Sequence, residues 1–388
     1  MKIKKVEAMR LERPAQEPRT KPRRDSWAEY TEVANPVSKF SEFKRMRTLW
    51  RPKWEEVWVK VTVEDGTWGL GCCSFGRPVA AIIEDHFAPL LVGQNALAVE
   101  RLWDLMFRIT KPYGTLGLAS VAISGVDLAL WDLVGKLQGR PVYELLGGPA
   151  RERIFTYATG NDTDWQLELG FKAVKLACPY GPVDGLWGLD QNEALVARTR
   201  EMAGDDVEIM LDCYMAFDVA YTVRLAEQLR PYRLKWIEEY LIPEDLDGHV
   251  AVRERLPWQT LATGEHLYTP WPFKQLIERR AVDILQPDIF WVGGLTACRR
   301  IAQMADTAGL TVILHVGGKH PYGQHLTYAM PNMPWIEFGV WSAPGVPLEE
   351  AQWVPGTALP EDGWIVPNDG PGFGVEMPDE WLVPFFDE

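Results

Sequence analysis

The chain has 388 residues, 47% of them hydrophobic, enough to bury the core of one large barrel or of two domains. Asp and Glu outnumber Lys and Arg by 54 to 40, a formal net charge of −14, and a field of that sign repels phosphate backbones and anionic membranes. Neither nucleic acid nor a membrane is expected as a partner, because the one basic run, RTKPRR at 19–24, is too short to reverse the field and no apolar stretch approaches the ~20 residues that span a bilayer.

The first strand-like run, KIKKVEAMRLE at 2–12, lies in an N-terminus without the apolar stretch of a signal peptide. Five cysteines (Cys72, Cys73, Cys178, Cys213, Cys298) make neither a C-x-x-C motif nor an even framework, so a reducing compartment, the cytoplasm, is expected. Residues 13–54 are rich in Pro, Arg, Lys and Ser and lack apolar periodicity. Loops that long in a compact domain serve as lids or binding loops. Strands at 55–66 and 67–71 follow, then helical patterns near 78–90, 96–109 and 119–138. Strands first and helices second predict a separate α+β domain over 1–145.

From 154 onward a short apolar strand, a polar turn and an amphipathic helix recur. Strands are predicted at 154–160, 171–177, 207–214, 234–240, 260–266, 282–288, 311–317 and 335–340, with helical patterns such as 192–203 and 218–230 between them. This alternation is the signature of a parallel α/β barrel, assigned to 146–345. The Pro- and Gly-rich tail, 346–388, is expected to pack back on the first domain.

In such a barrel the residues that finish the strands face the active site. Here they read Lys175, Asp212, Glu238, Glu265, Asp288, His315 and Glu337. Carboxylates on adjacent strands repel one another unless a cation holds them ionised, and a hard dication such as Mg²⁺ suits an all-oxygen set at Asp212, Glu238 and Glu265. Within the pair Glu238–Glu239 the two side chains of a strand point to opposite sides, and alternation alone does not choose between them, since Trp236 and Tyr240 share the parity of Glu238.

The long segment AISGVDLALWDLVGKLQGRPVYELLGG (122–148), followed in order by LDCY, KWIEE, TGEH, QPDIFWVGGLT and LHVGG, resembles the enolase superfamily in its mandelate-racemase-like branch. Within that branch KLACPYGP (175–182), MLDCYMAFDV (210–219) and NPVSKF (35–40) are most similar to rhamnonate dehydratases and related acid-sugar dehydratases. The resemblance implies a lid-forming α+β capping domain, completed by the C-terminal tail, over a modified (β/α)₇β TIM barrel. It also implies one Mg²⁺, with Mn²⁺ as the other candidate, and proton abstraction α to a carboxylate. It favours Glu238 over Glu239 as metal ligand.

The implied activity is dehydration of a sugar acid to a 2-keto-3-deoxy acid, by a protein expected to be a homo-oligomer. His315 is the expected base, since of six histidines it alone ends a barrel strand with an acid, Asp288, one βα unit upstream. The family pattern implies that Glu337, across the barrel, is a protonated acid that hydrogen-bonds the ene-diolate. Racemases of the branch carry a second lysine two residues after the first, where this chain has Lys175, Leu176, Ala177. The base needed on the opposite face for racemisation or epimerisation is therefore missing. Lys175 is left as a substrate contact or charge balance, and His266 as a contact to substrate hydroxyls. A barrel that merely binds sugar acids would be expected to have lost at least one of Asp212, Glu238, Glu265, Asp288 and His315, and none is lost. In the lid loop Arg47 matches an arginine that rhamnonate dehydratases use on substrate, with Glu32 and Arg45 as further candidates. Those enzymes also carry a histidine in this loop, whereas the first histidine here is His86.

Overall fold

The computed structural model describes residues 1–14, 19–30, 32–43, 52–352 and 354–386. Its first layer is an antiparallel sheet in which β1 (Ile3–Leu11) lies between β2 (Val57–Val63) and β13 (Leu382–Pro384), with β3 (Trp68–Cys73) beyond β2. The C-terminal tail thus supplies an edge strand to the N-terminal sheet, in register from Met9–Pro384 to Leu11–Leu382.

The helix Leu118–Gln138 packs across β2 and β3 and is buried nearly along its whole length. It is long and apolar enough to cross a membrane, at 21 residues, yet 94% of its most apolar window is buried inside the protein. The sequence reading found no apolar run of that length because two charges, Asp127 and Asp132, interrupt it, and both have internal partners. Asp127 accepts from Thr296 N (2.9 Å) and Oγ1 (2.6 Å). Asp132 accepts from Leu70 N (2.8 Å) and Phe373 N (2.9 Å) and pairs with Lys136 (2.7 Å). Close approach of helix and sheet needs Gly71, since a Cβ there would lie 2.0 Å from the Gly125 carbonyl oxygen.

The second layer is a curled parallel sheet. Seven strands pair in sequence order: β4 (Ile154–Thr159), β5 (Ala173–Ala177), β6 (Glu208–Asp212), β7 (Ile237–Glu238), β8 (Leu261–Thr263), β9 (Ile284–Leu285) and β10 (Thr311–Val312). The eighth, β11 (Trp335–Gly339), returns to lie parallel beside β4, as barrel curvature requires. Short strand β12 (Trp364–Ile365) of the tail adds antiparallel to β4.

Inside the curl, period-2 alternation stacks two layers of side chains. Tyr157, Ala173, Met210, Trp236, Ala262, Ile284 and Ile313 form a dry apolar cluster, large rings against small alanines. Two residues further along the strands the same face carries Thr159, Lys175, Asp212, Glu238, Gln286, His315 and Glu337. A polar layer therefore sits directly on an apolar floor.

Candidate active site

Each polar residue is delivered by a different strand, and together they converge. Asp212, Glu238 and Glu265 each offer a carboxylate oxygen within 4.8 Å of the others. That donor set is all oxygen, half to fully buried and anionic, and it fits a hard dication. Glu238 is held from three sides: Lys175 Nζ donates to Oε1, while Trp236 Nε1 (2.9 Å) and Gln286 Nε2 (2.6 Å) donate to Oε2. Burial, and then the neighbouring acids, outweigh Lys175 and push its pKa up to about 7. Burial with Glu239 likewise raises Glu265 to about 7.

Lys175 is wholly buried, with its ammonium between Glu238, Glu337 (2.9 Å) and Asp212 (3.6 Å). Burial works against the charge, but the three carboxylates hold it protonated, well above the ordinary lysine value. The geometry is one of charge balance.

Glu337 accepts from Thr159 Oγ1 (2.5 Å) and Val316 N (2.8 Å) as well as facing Lys175. Burial raises its pKa, yet Lys175, His315 and these two donors bring it down to about 2. Lys175, His315 and the two donors thus all favour the carboxylate form of Glu337, against its burial.

His315 Nδ1 lies 2.7 Å from Asp288 Oδ2, and Asp288 Oδ1 accepts the Phe290 N–H at 2.6 Å, so both carboxylate oxygens are committed and the imidazole is oriented. Nε2 points inward, 3.4 Å from Glu265. Burial lowers the imidazole pKa, but Glu265 first and Asp288 next raise it to about 10. Neutralising Glu265 returns the ring toward the unprotonated form that a base requires.

The expectation that Glu238 and Glu239 point to opposite sides is corrected. Strand β7 ends at Glu238 and Glu239 turns left-handed, with φ +47°, so both carboxylates reach the site. Glu239 grips His266 Nδ1 at 2.9 and 3.0 Å, and Glu239, Glu265 and His266 form a second convergent group. Burial opposes the charge on His266, but Glu239 raises its pKa to about 9. Tyr214 stands edge-on to His266 at 5.5 Å, itself left-handed at φ +43°.

Above the mouth of the curl, Val33 packs on Ala177 and Tyr214, and Ala34 N donates to the Cys178 carbonyl (2.9 Å), so the loop covers the site. Glu32 precedes Val33 and is half-buried. Arg45 and Arg47 lie outside the described residues. Tyr214, Gln286 and Thr159 have no place among the candidates read from the sequence, where Glu239 stands only as the alternative to Glu238. Gln286 and Thr159 were within reach of it, since each shares strand parity with an apolar floor residue, Ile284 and Tyr157.

Residues 163–381 match the family described as enolase C-terminal domain-like, and residues 46–147 the mandelate racemase / muconate lactonizing enzyme N-terminal domain. A relative from Caldivirga maquilingensis is 41% identical over 358 residues, 91% of this chain and 89% of that protein. The L-rhamnonate dehydratase of Saccharopolyspora erythraea is 39% identical over 91% of each chain. The crystal structure of rhamnonate dehydratase from Gibberella zeae complexed with Mg superposes with a TM-score of 0.91 at 32% identity, covering 99% of this chain and 96% of that one.

Proposed function

Because the chain belongs to the mandelate racemase / muconate lactonizing enzyme family of the enolase superfamily, we propose that it is a Mg²⁺-dependent hydro-lyase acting on a sugar acid. It removes the α-proton and the β-hydroxyl and leaves a 2-keto-3-deoxy acid. The observation that carries this reading is the His315–Asp288 pair on one side of three convergent carboxylates. On the other side, two residues beyond Lys175, stands the methyl group of Ala177 under Val33, where a racemase needs an amine.

Asp212, Glu238 and Glu265 would hold the Mg²⁺, which when bound would offset the charge that builds on the substrate carboxylate as its α-proton leaves. His315 takes that proton on Nε2, the nitrogen not engaged by Asp288. The same imidazolium then gives a proton to the β-hydroxyl, which departs as water while the electron pair forms the Cα–Cβ double bond. The resulting enol tautomerises to the 2-keto acid. Asp288 fixes the tautomer and plane of the ring, and Glu337 supports Lys175 and the imidazolium. His266 meets the hydroxyl groups of the substrate, and Glu32 is a further substrate contact from the loop.

A stereochemically complete set of pentonates, hexonates and 6-deoxyhexonates, scored for 2-keto-3-deoxy product, tests this. At least one acid is expected to turn over with Mg²⁺, and none turning over overturns the reading. His315→Asn is expected to lose at least ~10²–10⁴-fold in turnover, together with exchange of the α-proton for solvent deuterium. Asp288→Asn keeps the imidazole and loses less. Exchange persisting in His315→Asn assigns the proton transfer to another residue.

Assembly as a homo-oligomer is supported by the surface, where Trp187, Trp271 and Trp341 are each more than half exposed. Light scattering of the purified protein checks it, and a mass of 44.1 kDa overturns it. Residence in the cytoplasm is supported by the five cysteines, all unpaired. Fractionation of the source cells decides it.

A further inference from the structure

We propose that Trp291 is a positioning residue for both active-site histidines, and that the capping domain sets its place through Ser74. Trp291 belongs to the turn that begins at Asp288: Trp291 N and Val292 N both donate to the Asp288 carbonyl, at 3.1 and 2.9 Å. Its indole fills the gap between two imidazoles that come from different strands. The ring centroids lie 5.4 Å from His315 and 5.5 Å from His266, tilted by 47° and 50°. Both separations are those of aromatic rings in contact.

Each imidazole is pinned at one nitrogen, His315 by Asp288 and His266 by Glu239. A single hydrogen bond fixes a point and leaves rotation about its own axis. A flat neighbour against the ring removes that freedom, and Trp291 is a neighbour that both imidazoles share.

What holds the indole comes from the other layer. Its Nε1 donates to Ser74 Oγ at 3.0 Å, and Ser74 is the residue that follows β3. The next residue, Phe75, lies 5.6 Å from the indole on one side and 6.3 Å from Trp54 on the other. Phe75 has φ 71° and ψ 24°, a left-handed conformation costly for an aromatic residue and kept only where the surroundings over-determine it. The turn of the capping domain is thus held in one place, and Trp291 with it.

The kinetic consequence rests on the dehydratase reading. There His315 must address two atoms in succession, Cα and the β-oxygen, so a ring free to rotate loses the second task more than the first. The proton is then returned to Cα more often before the hydroxyl leaves.

The test compares Ser74→Ala, Trp291→Phe and the double variant, all as the full chain with Mg²⁺. Phe keeps a ring but has no N–H for Ser74, so each single change breaks the same link. With ¹³C-labelled histidine, the ring resonances of His315 and His266, assigned from His315→Asn and His266→Asn, are expected to shift in Ser74→Ala. Those of His249 and His325 are expected to stay. Turnover should fall about three- to thirtyfold with KM within about twofold. The ratio of deuterium exchange to elimination should rise, and the double variant should be no worse than Trp291→Phe.

Unmoved His315 and His266 resonances in Ser74→Ala overturn the proposal, as do losses that multiply in the double variant or an exchange ratio that stays constant. A protein that dehydrates none of the acids yet shows both shifts overturns the activity and still supports the placing of Trp291.

Discussion

Glu239 carries a φ of +47°, and that one dihedral decides which acids reach the site. Alternation along a strand is a rule about extended backbone, and it ends where the strand ends, at Glu238. Glu238 remains inward, tied to Lys175, Trp236 and Gln286, while Glu239 swings to His266. The two glutamates therefore predict different losses. Glu238→Gln removes a ligand charge and should weaken Mg²⁺ binding by more than the ~10–100-fold typical of losing a ligand's supporting partner. Glu239→Gln should retain the metal and raise KM, because it frees His266. Isothermal titration with Mg²⁺ separates them; normal binding in Glu238→Gln with loss in Glu239→Gln would move the metal to the Glu239–Glu265–His266 group. The strand-end acids and the His315–Asp288 pair were legible because spacing and residue type are properties of sequence. That both acids of the Glu238–Glu239 pair reach the site was not, since it depends on a single dihedral where the strand ends.

At the level of elements, the basic run at 19–24 has a use within the fold. Arg23 pairs with Glu168 (2.6 Å), Arg24 with Asp162 and with Asp164 (2.6 Å), and Thr20 donates to Glu350 (2.8 and 2.9 Å). Asp162, buried just past the end of β4, also accepts from Ser26 Oγ (3.2 Å) and Trp27 N (2.9 Å). The segment that leads to Val33 over the site is strapped to the barrel by these contacts. A sequence reading sees only a long loop with positive charges, because the acids that receive them lie some 140 residues or more away. Asp162→Ala leaves Ser26 and Trp27 without their shared acceptor and should raise KM about tenfold, equivalent to ~1.4 kcal/mol, with kcat changed far less. Added salt should raise the KM of the unaltered protein as well, since Arg23 and Glu168 are half exposed and screened. A kcat loss with KM constant would remove the strap from substrate binding.

For the molecule as a whole, several titratable groups lie fully inside it, and their burial sets how stability responds to acid. His325, on the helix Pro321–Ala329, is wholly buried between Tyr143 (5.4 Å) and Phe373 (5.5 Å), against the tail. Burial holds its pKa down to about 3, with Asp369 opposing. Burial likewise lowers His249, beside Tyr240, to about 4. The unfolded chain takes up a proton on each near pH 6.5 and the folded chain does not, so each contributes stability that is present above pH 6.5 and lost as pH falls toward 4. At pH 4.5 the loss is ~3 kcal/mol per histidine, a large share of the ~5–15 kcal/mol of a typical domain. Asp127, raised by burial to about 7, acts in the opposite sense over the same interval, so the slope of the unaltered protein is a sum of opposing contributions. The difference between the protein and a variant isolates one of them. His325→Gln, neutral at every pH, should be less stable near pH 7, where it loses the packing of the imidazole. That gap should close by ~3 kcal/mol by pH 4.5, as only the unaltered chain pays for an unprotonated ring. Urea unfolding of both proteins at a series of pH values measures the gap, and a gap independent of pH would mean that His325 is protonated alike in the folded and unfolded chain.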